Sequence, residues 1–170
     1  MNFDYFKSAD KILTDWVCKN AEFIDIKKDT TFIHESKEIK SLFVIISGKV
    51  EVSTSTQDSK EITLAILEEG AMMGEMSYLE KKNPVASVKS ITDVKLISIN
   101  YKIISEQIDS NYALSKSFYK LISTKLCSQL LSQNKLIGYV HSNFDDSNEP
   151  EAKIALSKSN FNFFKMSNGI

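Results

Sequence analysis

Between Glu22 and Asn100 the chain is built of short runs of β-branched and aromatic residues: Phe23 to Ile26, Thr30 to His34, Leu42 to Ile46, Val50 to Ser53, Ile62 to Leu67, Ala86 to Ile91 and Val94 to Ile99. Side chains of this kind suit a pleated, half-buried surface, so the runs read as strands. Gly48 stands between two of them and fits a tight hairpin, and the polar Ser55-Thr56-Gln57-Asp58-Ser59 joins the next pair. A succession of short strands with turn signals between them specifies a small jelly roll or barrel. With 170 residues, 42% of them hydrophobic, the chain is long enough to fill one such core and carry some appendage.

At both ends the period changes to the three-and-four spacing of helices. Phe3, Phe6, Ala9, Ile12, Leu13, Trp16 and Val17 predict an amphipathic helix from Phe3 to Val17 that packs on the sheet. Tyr101 to Ile108 predicts a short helix, and Asp109-Ser110-Asn111 supplies a cap for a longer one from Tyr112 to about Leu136. That helix gathers Leu114, Phe118, Leu121, Ile122, Leu126, Leu130 and Ile137 on one face and leaves Ser115, Lys116, Lys120, Ser123, Gln129, Ser132 and Gln133 on the other. The apolar face either folds back on its own barrel or pairs with a second copy. Residues 142–150 are acidic, polar and proline-ended, the composition of a connector. Glu151 to Ser159 suits two helical turns, and Phe161, Phe163 and Phe164 form an aromatic cluster that calls for a surface to bury against. The expected division is a domain over 1–140, a linker over 141–150 and a tail over 151–170.

One stretch carries the candidate chemistry: Gly70-Ala71-Met72-Met73-Gly74-Glu75-Met76-Ser77-Tyr78-Leu79, followed by Glu80-Lys81-Lys82-Asn83 and Pro84-Val85-Ala86-Ser87-Val88. Gly74 before Glu75 predicts a tight turn opening a short helix whose amides face an anion. Taken alone, Glu75 is also a carboxylate at a helix N-terminus, where it contributes about 0.3 to 1 kcal/mol. Met72, Met73 and Met76 suit either a soft wall against a planar base or gap-filling in the core.

Together with Leu42 to Val52, this stretch resembles the cyclic nucleotide-binding domain family, the sensor domain of Crp/Fnr-like regulators and of protein kinase A regulatory subunits. The resemblance runs from roughly Phe23 to Leu130. It implies an α+β, mainly β fold, a jelly-roll β-barrel flanked by an N-terminal helix and C-terminal helices. It also implies a ligand, cAMP or cGMP: Glu75 accepting the ribose 2′-hydroxyl, Gly74, Met76 and Ser77 lining the phosphate cradle, and Val85, Ala86 and Ser87 closing it. The long helix often makes a homodimer contact in such proteins. Two positions depart from the family pattern. Ser36 stands where a glycine is usual, and Val85, after Pro84, or Pro84 itself if the register is fixed on Ala86-Ser87-Val88, stands where an arginine grips the cyclic phosphate. No neighbour replaces that arginine, because all 21 basic residues are lysines, and a lysine meets phosphate as a point charge where an arginine meets it as a fork. Losing a bidentate charged pair costs roughly 3 kcal/mol, about two decades of affinity. The expected function is therefore a non-enzymatic regulatory or interaction module, with a cyclic nucleotide sensor of altered cassette, acting through a partner protein, as the alternative.

Other chemistries find little support in the sequence. His34 and His141 do not sit at ligand spacing, so no metal site is expected. Ser77 lies in Gly-Glu-Met-Ser, which is not a nucleophile elbow. A net charge of −1 gives no basic footprint, and only about 30 residues follow the long helix, so DNA binding is not expected. The apolar runs are too short to span a bilayer, and the reading is cytoplasmic. Cys18 and Cys127 are expected to be packed thiols.

Overall fold

The computed structural model describes residues 10–56, 58 and 60–144. Its first helix, α1 (Lys11–Asn20), begins at Asp10, whose backbone is extended (φ −78°, ψ 170°) and whose carboxylate accepts from Leu13 N at 3.2 Å. Of the helix expected over Phe3 to Val17, the part from Lys11 is described and runs on to Asn20; residues 3–9 lie outside the described residues. Aspartate satisfies the free amides of a first turn better than it continues a helix, which suits Asp10 to the position before α1. The Ser117 hydroxyl also donates to the Asp10 carboxylate and, with the Leu13 amide, holds its carboxyl below the usual range.

Eight strands follow: β1 (Glu22–Ile26), β2 (Thr31–Ile33), β3 (Ser41–Ser47), β4 (Val50–Ser55), β5 (Glu61–Leu67), β6 (Met72–Met73), β7 (Ser87–Ser90) and β8 (Val94–Asn100). They form two antiparallel four-stranded sheets in the orders β1-β8-β3-β6 and β2-β7-β4-β5, the topology of a jelly roll. The two-residue β6 is too short for any alternation to mark it, and only its pairing of Phe43 with Met73 and Val44 with Met72 reveals it.

Gly48 is not a hairpin turn. β3 pairs with β8 and β6, β4 with β5 and β7, so at Gly48 (φ +95°) the chain crosses from one sheet to the other. The β7 to β8 connection crosses at the same place: Lys49 N donates to Thr92 Oγ1 at 2.9 Å and Ile91 N to the Lys49 carbonyl at 3.0 Å. A β-carbon on Gly48 would sit 2.4 Å from the Asp93 carbonyl oxygen. A glycine between two apolar runs signals either a hairpin or such a corner, and the sequence does not separate them.

Two apolar layers result. Ile33, Ile45, Val50, Met73, Val88, Val94 and Leu96 fill the space between the sheets. Leu42, Val44, Ile97 and Ile99, the alternate residues of β3 and β8, point the other way and meet Leu13, Trp16 and Val17 of α1 together with α3 (Tyr101–Ser110) and α4 (Tyr112–Phe144). Asn100 caps α3 by accepting from Lys102 N, and Asn111 accepts from Leu114 N at the start of α4. Leu114, Phe118, Leu121 and Ile122 of α4 are buried in this layer of their own chain. They are therefore not free to meet a second copy, which corrects the expectation that they form a homodimer contact.

The helix also runs past Leu136 to Phe144, over the first residues of the stretch read as a connector. The aromatic cluster Phe161, Phe163 and Phe164 and the expected helix over Glu151 to Ser159 lie outside the described residues. The compact unit holding the barrel ends at Leu126. Cys18 and Cys127 are both exposed, against the expectation of packed thiols; Cys18 lies next to the buried Trp16 and Val17 but turns to the solvent side of α1.

Candidate functional site

The stretch from Gly74 to Ser87 folds as a six-residue helix, α2 (Glu75–Glu80), and an irregular return into β7. Gly74 takes the left-handed conformation (φ 87°) that the turn requires, and Lys81 closes the helix in the same region (φ 53°). A β-carbon on Gly74 would approach the Tyr101 hydroxyl to 2.8 Å, the Ser41 carbonyl to 2.9 Å and the Ile39 side chain to 3.2 Å. Tyr78 on α2 packs between Tyr101 (5.3 Å between ring centroids) and Phe118 (5.7 Å, edge-on), which ties the cassette helix to α3 and α4. Lys125 of α4 donates to the Gly70 carbonyl at 3.2 Å, a second tie on the other side of β6.

Glu75 is the side chain that this arrangement strains most. It is 6% exposed, and burial raises its carboxyl above the usual range while only its own backbone N–H opposes the shift. Among the described residues the buried side-chain nitrogen or oxygen left without a hydrogen-bond partner is Trp16 Nε1, not a Glu75 oxygen. Tyr101 lies close enough to feel its charge; burial, and after it Glu75, raise the phenol.

The other expected site residues are dispersed. Met76 is 48% exposed. Ser77 lines, with Tyr78 and Leu79, a cleft of about 650 Å³ facing Tyr101, Ser105 and Tyr119, away from Val85, Ala86 and Ser87. Met72 and Met73 are buried on opposite sides of β6, one in each apolar layer, which is the gap-filling role. Val85 is 67% exposed. Ala86 is half-buried, and the Ser87 hydroxyl accepts from Glu35 N at 3.0 Å.

The loop before β3 joins the two ends of the cassette. Ser36 takes the left-handed conformation (φ 61°), which accounts for glycine being usual at this position. Its N–H donates to the Pro84 carbonyl at 2.8 Å, and Asn83 Nδ2 donates to the Ser36 carbonyl at 2.8 Å. Glu35 turns its carboxylate onto the end of β4: Thr54 Oγ1 donates to it at 3.1 Å and Ser55 N at 3.0 Å. The same Thr54 hydroxyl lies 3.4 Å from the Val85 carbonyl. The group fixed beside Val85 is thus an acid. Sequence reasoning missed Glu35, Thr54 and Tyr101, and no motif marks them: each acts through a contact that is distant in sequence.

Among the described residues no three His, Cys, Asp or Glu side chains gather as a metal site, and no helix is long and apolar enough to cross a membrane.

Comparison with known proteins agrees with this geometry. The family model for the cyclic nucleotide-binding domain matches residues 23–111. The anaerobic regulatory protein of Bacillus subtilis (strain 168) is 29% identical over 102 residues, covering 59% of this chain and 43% of that protein. The CRP-like cAMP-activated global transcriptional regulator of Mycobacterium tuberculosis is 25% identical over 108 residues, covering 64% and 48%. The chain thus spans about half the length of these relatives. Among solved structures, a cyclic nucleotide-binding domain from Methylobacillus flagellatus KT superposes with a TM-score of 0.72 at 15% identity over 79% of each chain. The catabolite activator protein of Thermus thermophilus superposes with a TM-score of 0.62 at 20% identity over 78% of this chain and 62% of that one. Barrel topology, the left-handed Gly74 opening α2, and a family match across more than half of the sequence converge: the chain belongs to the cyclic nucleotide-binding domain family.

Proposed function

We propose that the chain is a non-enzymatic regulatory or interaction module whose cassette does not grip 3′,5′-cyclic nucleotides in the manner usual for its family, and that it acts in the cytoplasm through a partner protein. The observation that carries this reading is the exposed Val85 with the Glu35 carboxylate anchored beside it through Thr54. The absent arginine removes roughly 3 kcal/mol of charged hydrogen bonding. A fixed carboxylate adds repulsion, about 4 kcal/mol for two like charges 4 Å apart near a protein surface. Both effects act against a cyclic phosphate. The names of the relatives, an anaerobic regulatory protein and a transcriptional regulator, support a regulatory role. For the partner, a second copy meeting α4 through its exposed Leu130 and Leu131 is the surface we favour.

Thermal shift with cAMP and cGMP tests the reading. A ligand at 100 times its dissociation constant stabilises by about 2.7 kcal/mol, a rise on the order of 5 to 10 °C for a chain of this size. No rise is expected at micromolar nucleotide. A rise of that order would instead make the chain a cyclic nucleotide sensor, the reading favoured by the intact Gly74 and the buried Glu75.

A further inference from the structure

We propose that β5 is a docking edge for a partner protein, which adds an extended segment rich in β-branched residues and flanked by lysine or arginine as a further strand beside it. The proposal deepens the reading that the chain acts through a partner and rests on that part of it alone. The two sheets leave four edges, β1 and β6 in one and β2 and β5 in the other. An edge strand presents a row of unpaired N–H and C=O groups, and it templates pairing with another chain unless it is short, charged or covered. β6 and β2 are two and three residues long, and β1 carries Glu22 and Asp25 among its five. β5 runs for seven, from Glu61 to Leu67, and among the described residues it pairs with β4 alone. Along it Ile62, Leu64 and Ile66 are 48%, 56% and 48% exposed.

Ile62 stands opposite Thr54 and Ile66 opposite Glu51, positions three apart on β4 and so on opposite faces of the sheet. Leu64 falls between Thr63, opposite Ser53, and Ala65, opposite Val52, and is the extra residue of a bulge. An added strand therefore meets an apolar side chain on each face and a third at the bend between them. Two features choose the occupant. The bulge bends the edge, which a flexible segment follows and a second rigid β5 does not. Residues 50–69 carry Glu51, Asp58, Glu61, Glu68 and Glu69 against Lys60, a net charge of −4, and Lys49 offsets one of these acids by pairing with Glu68 at 2.6 Å. Such a charge repels a second copy and attracts a basic segment.

The probe is a synthetic peptide, Lys-Lys-Val-Thr-Val-Val-Thr-Val-Lys-Lys, labelled for fluorescence anisotropy and titrated with the full chain. Saturation is expected below about 100 μM chain. Replacing the peptide's lysines by glutamate, or its threonines by proline, which cannot donate to a strand ladder, is expected to weaken binding by at least about tenfold. Leu64→Ser and, separately, Ile62→Ser remove an exposed apolar contact without changing the charge, and each is expected to weaken the probe by about tenfold with an unchanged circular dichroism spectrum. A probe that does not saturate, a glutamate or proline peptide that binds as tightly, or unchanged binding in both serine variants overturns the proposal. So does a chain that self-associates without peptide and loses that association in Leu64→Ser, which would assign the edge to a second copy. None of these outcomes touches the non-gripping cassette. A rise in melting temperature with cyclic nucleotide would overturn that reading and leave the docking edge in place.

Discussion

The hydroxyl of Tyr101 donates to the backbone carbonyl of Gly74 at 2.7 Å, joining the first residue of α3 to the left-handed residue that opens α2. That carbonyl also accepts the first helical bond of α2, from Tyr78 N at 3.0 Å. Because the Tyr78 ring lies between Tyr101 and Phe118, the cassette helix is held to the helical layer by one hydrogen bond and two ring contacts. Its position is set from behind, independently of any ligand.

Tyr101→Phe isolates the hydrogen bond, since it removes the hydroxyl and keeps the ring. The Gly74 carbonyl retains Tyr78 N, so no acceptor is orphaned, and the loss should be that of one neutral hydrogen bond, about 0.5 to 1.5 kcal/mol. A melting temperature a few degrees lower is expected. No change at all would mean that ring packing alone holds α2.

Gly74→Ala should cost more. The substitution forces a β-carbon onto a residue at φ 87° and against the Ser41 carbonyl, a backbone atom that cannot step aside. Backbone strain of this kind is worth about 1 to 3 kcal/mol, and the clash adds to it. Chemical denaturation should show a loss well above that of Tyr101→Phe; a smaller loss would show that α2 can shift as a body.

The barrel was legible in the sequence because its signal is local. Runs such as Leu42 to Ile46 and Val94 to Ile99 carry branched side chains on both faces, and both strands prove to be covered by apolar layers on both sides. Gly74 and the N-capping Asn111 were legible for the same reason, each marking a local backbone need that few residue types meet. What depended on contacts distant in sequence was hidden. Gly48 gives the same signal at a corner as at a hairpin, and Phe118 and Leu121 look alike whether they face a partner or their own sheet. Glu35 lies 52 residues from the Ser87 hydroxyl that it binds, and nothing in Glu35-Ser36-Lys37-Glu38 marks it as belonging to the cassette.

Glu75 should leave a mark on the pH dependence of stability. Burial raises its carboxyl in the folded chain, while in the unfolded chain it titrates near the ordinary value of about 4.3. Between these two values the folded state holds a proton that the unfolded state has released, so stability falls as pH rises through the window. Below the window both states are protonated and the stabilisation is fully present. Glu75→Gln removes this titration. Urea midpoints measured from pH 4 to pH 8 should decline less steeply in the variant, and the variant should be the more stable at neutral pH. Parallel profiles would show that the folded carboxylate is stabilised by donors beyond its own N–H.

The last prediction concerns self-association along α4. Leu114, Phe118, Leu121 and Ile122 are committed to the chain's own apolar layer, whereas Leu130 and Leu131 are 45% and 62% exposed. Two adjacent leucines on a helix gain about 1.5 to 3 kcal/mol each when fully buried, and a two-fold contact would count each of them twice. A dimer at micromolar concentration is expected in sedimentation velocity, and the double change Leu130→Glu with Leu131→Glu should convert it to a folded monomer. Ser123→Glu, on an exposed position of the same helix, should leave the dimer intact. Phe118→Ala separates the two roles of the helix. Because its ring is buried within one chain, its loss should destabilise the fold by about 3 to 5 kcal/mol at any protein concentration, whereas loss of a dimer contact would lower the melting temperature only at concentrations where the wild-type chain is dimeric. A wild-type chain that sediments as a monomer at high micromolar concentration would leave α4 as a cover for its own sheet alone.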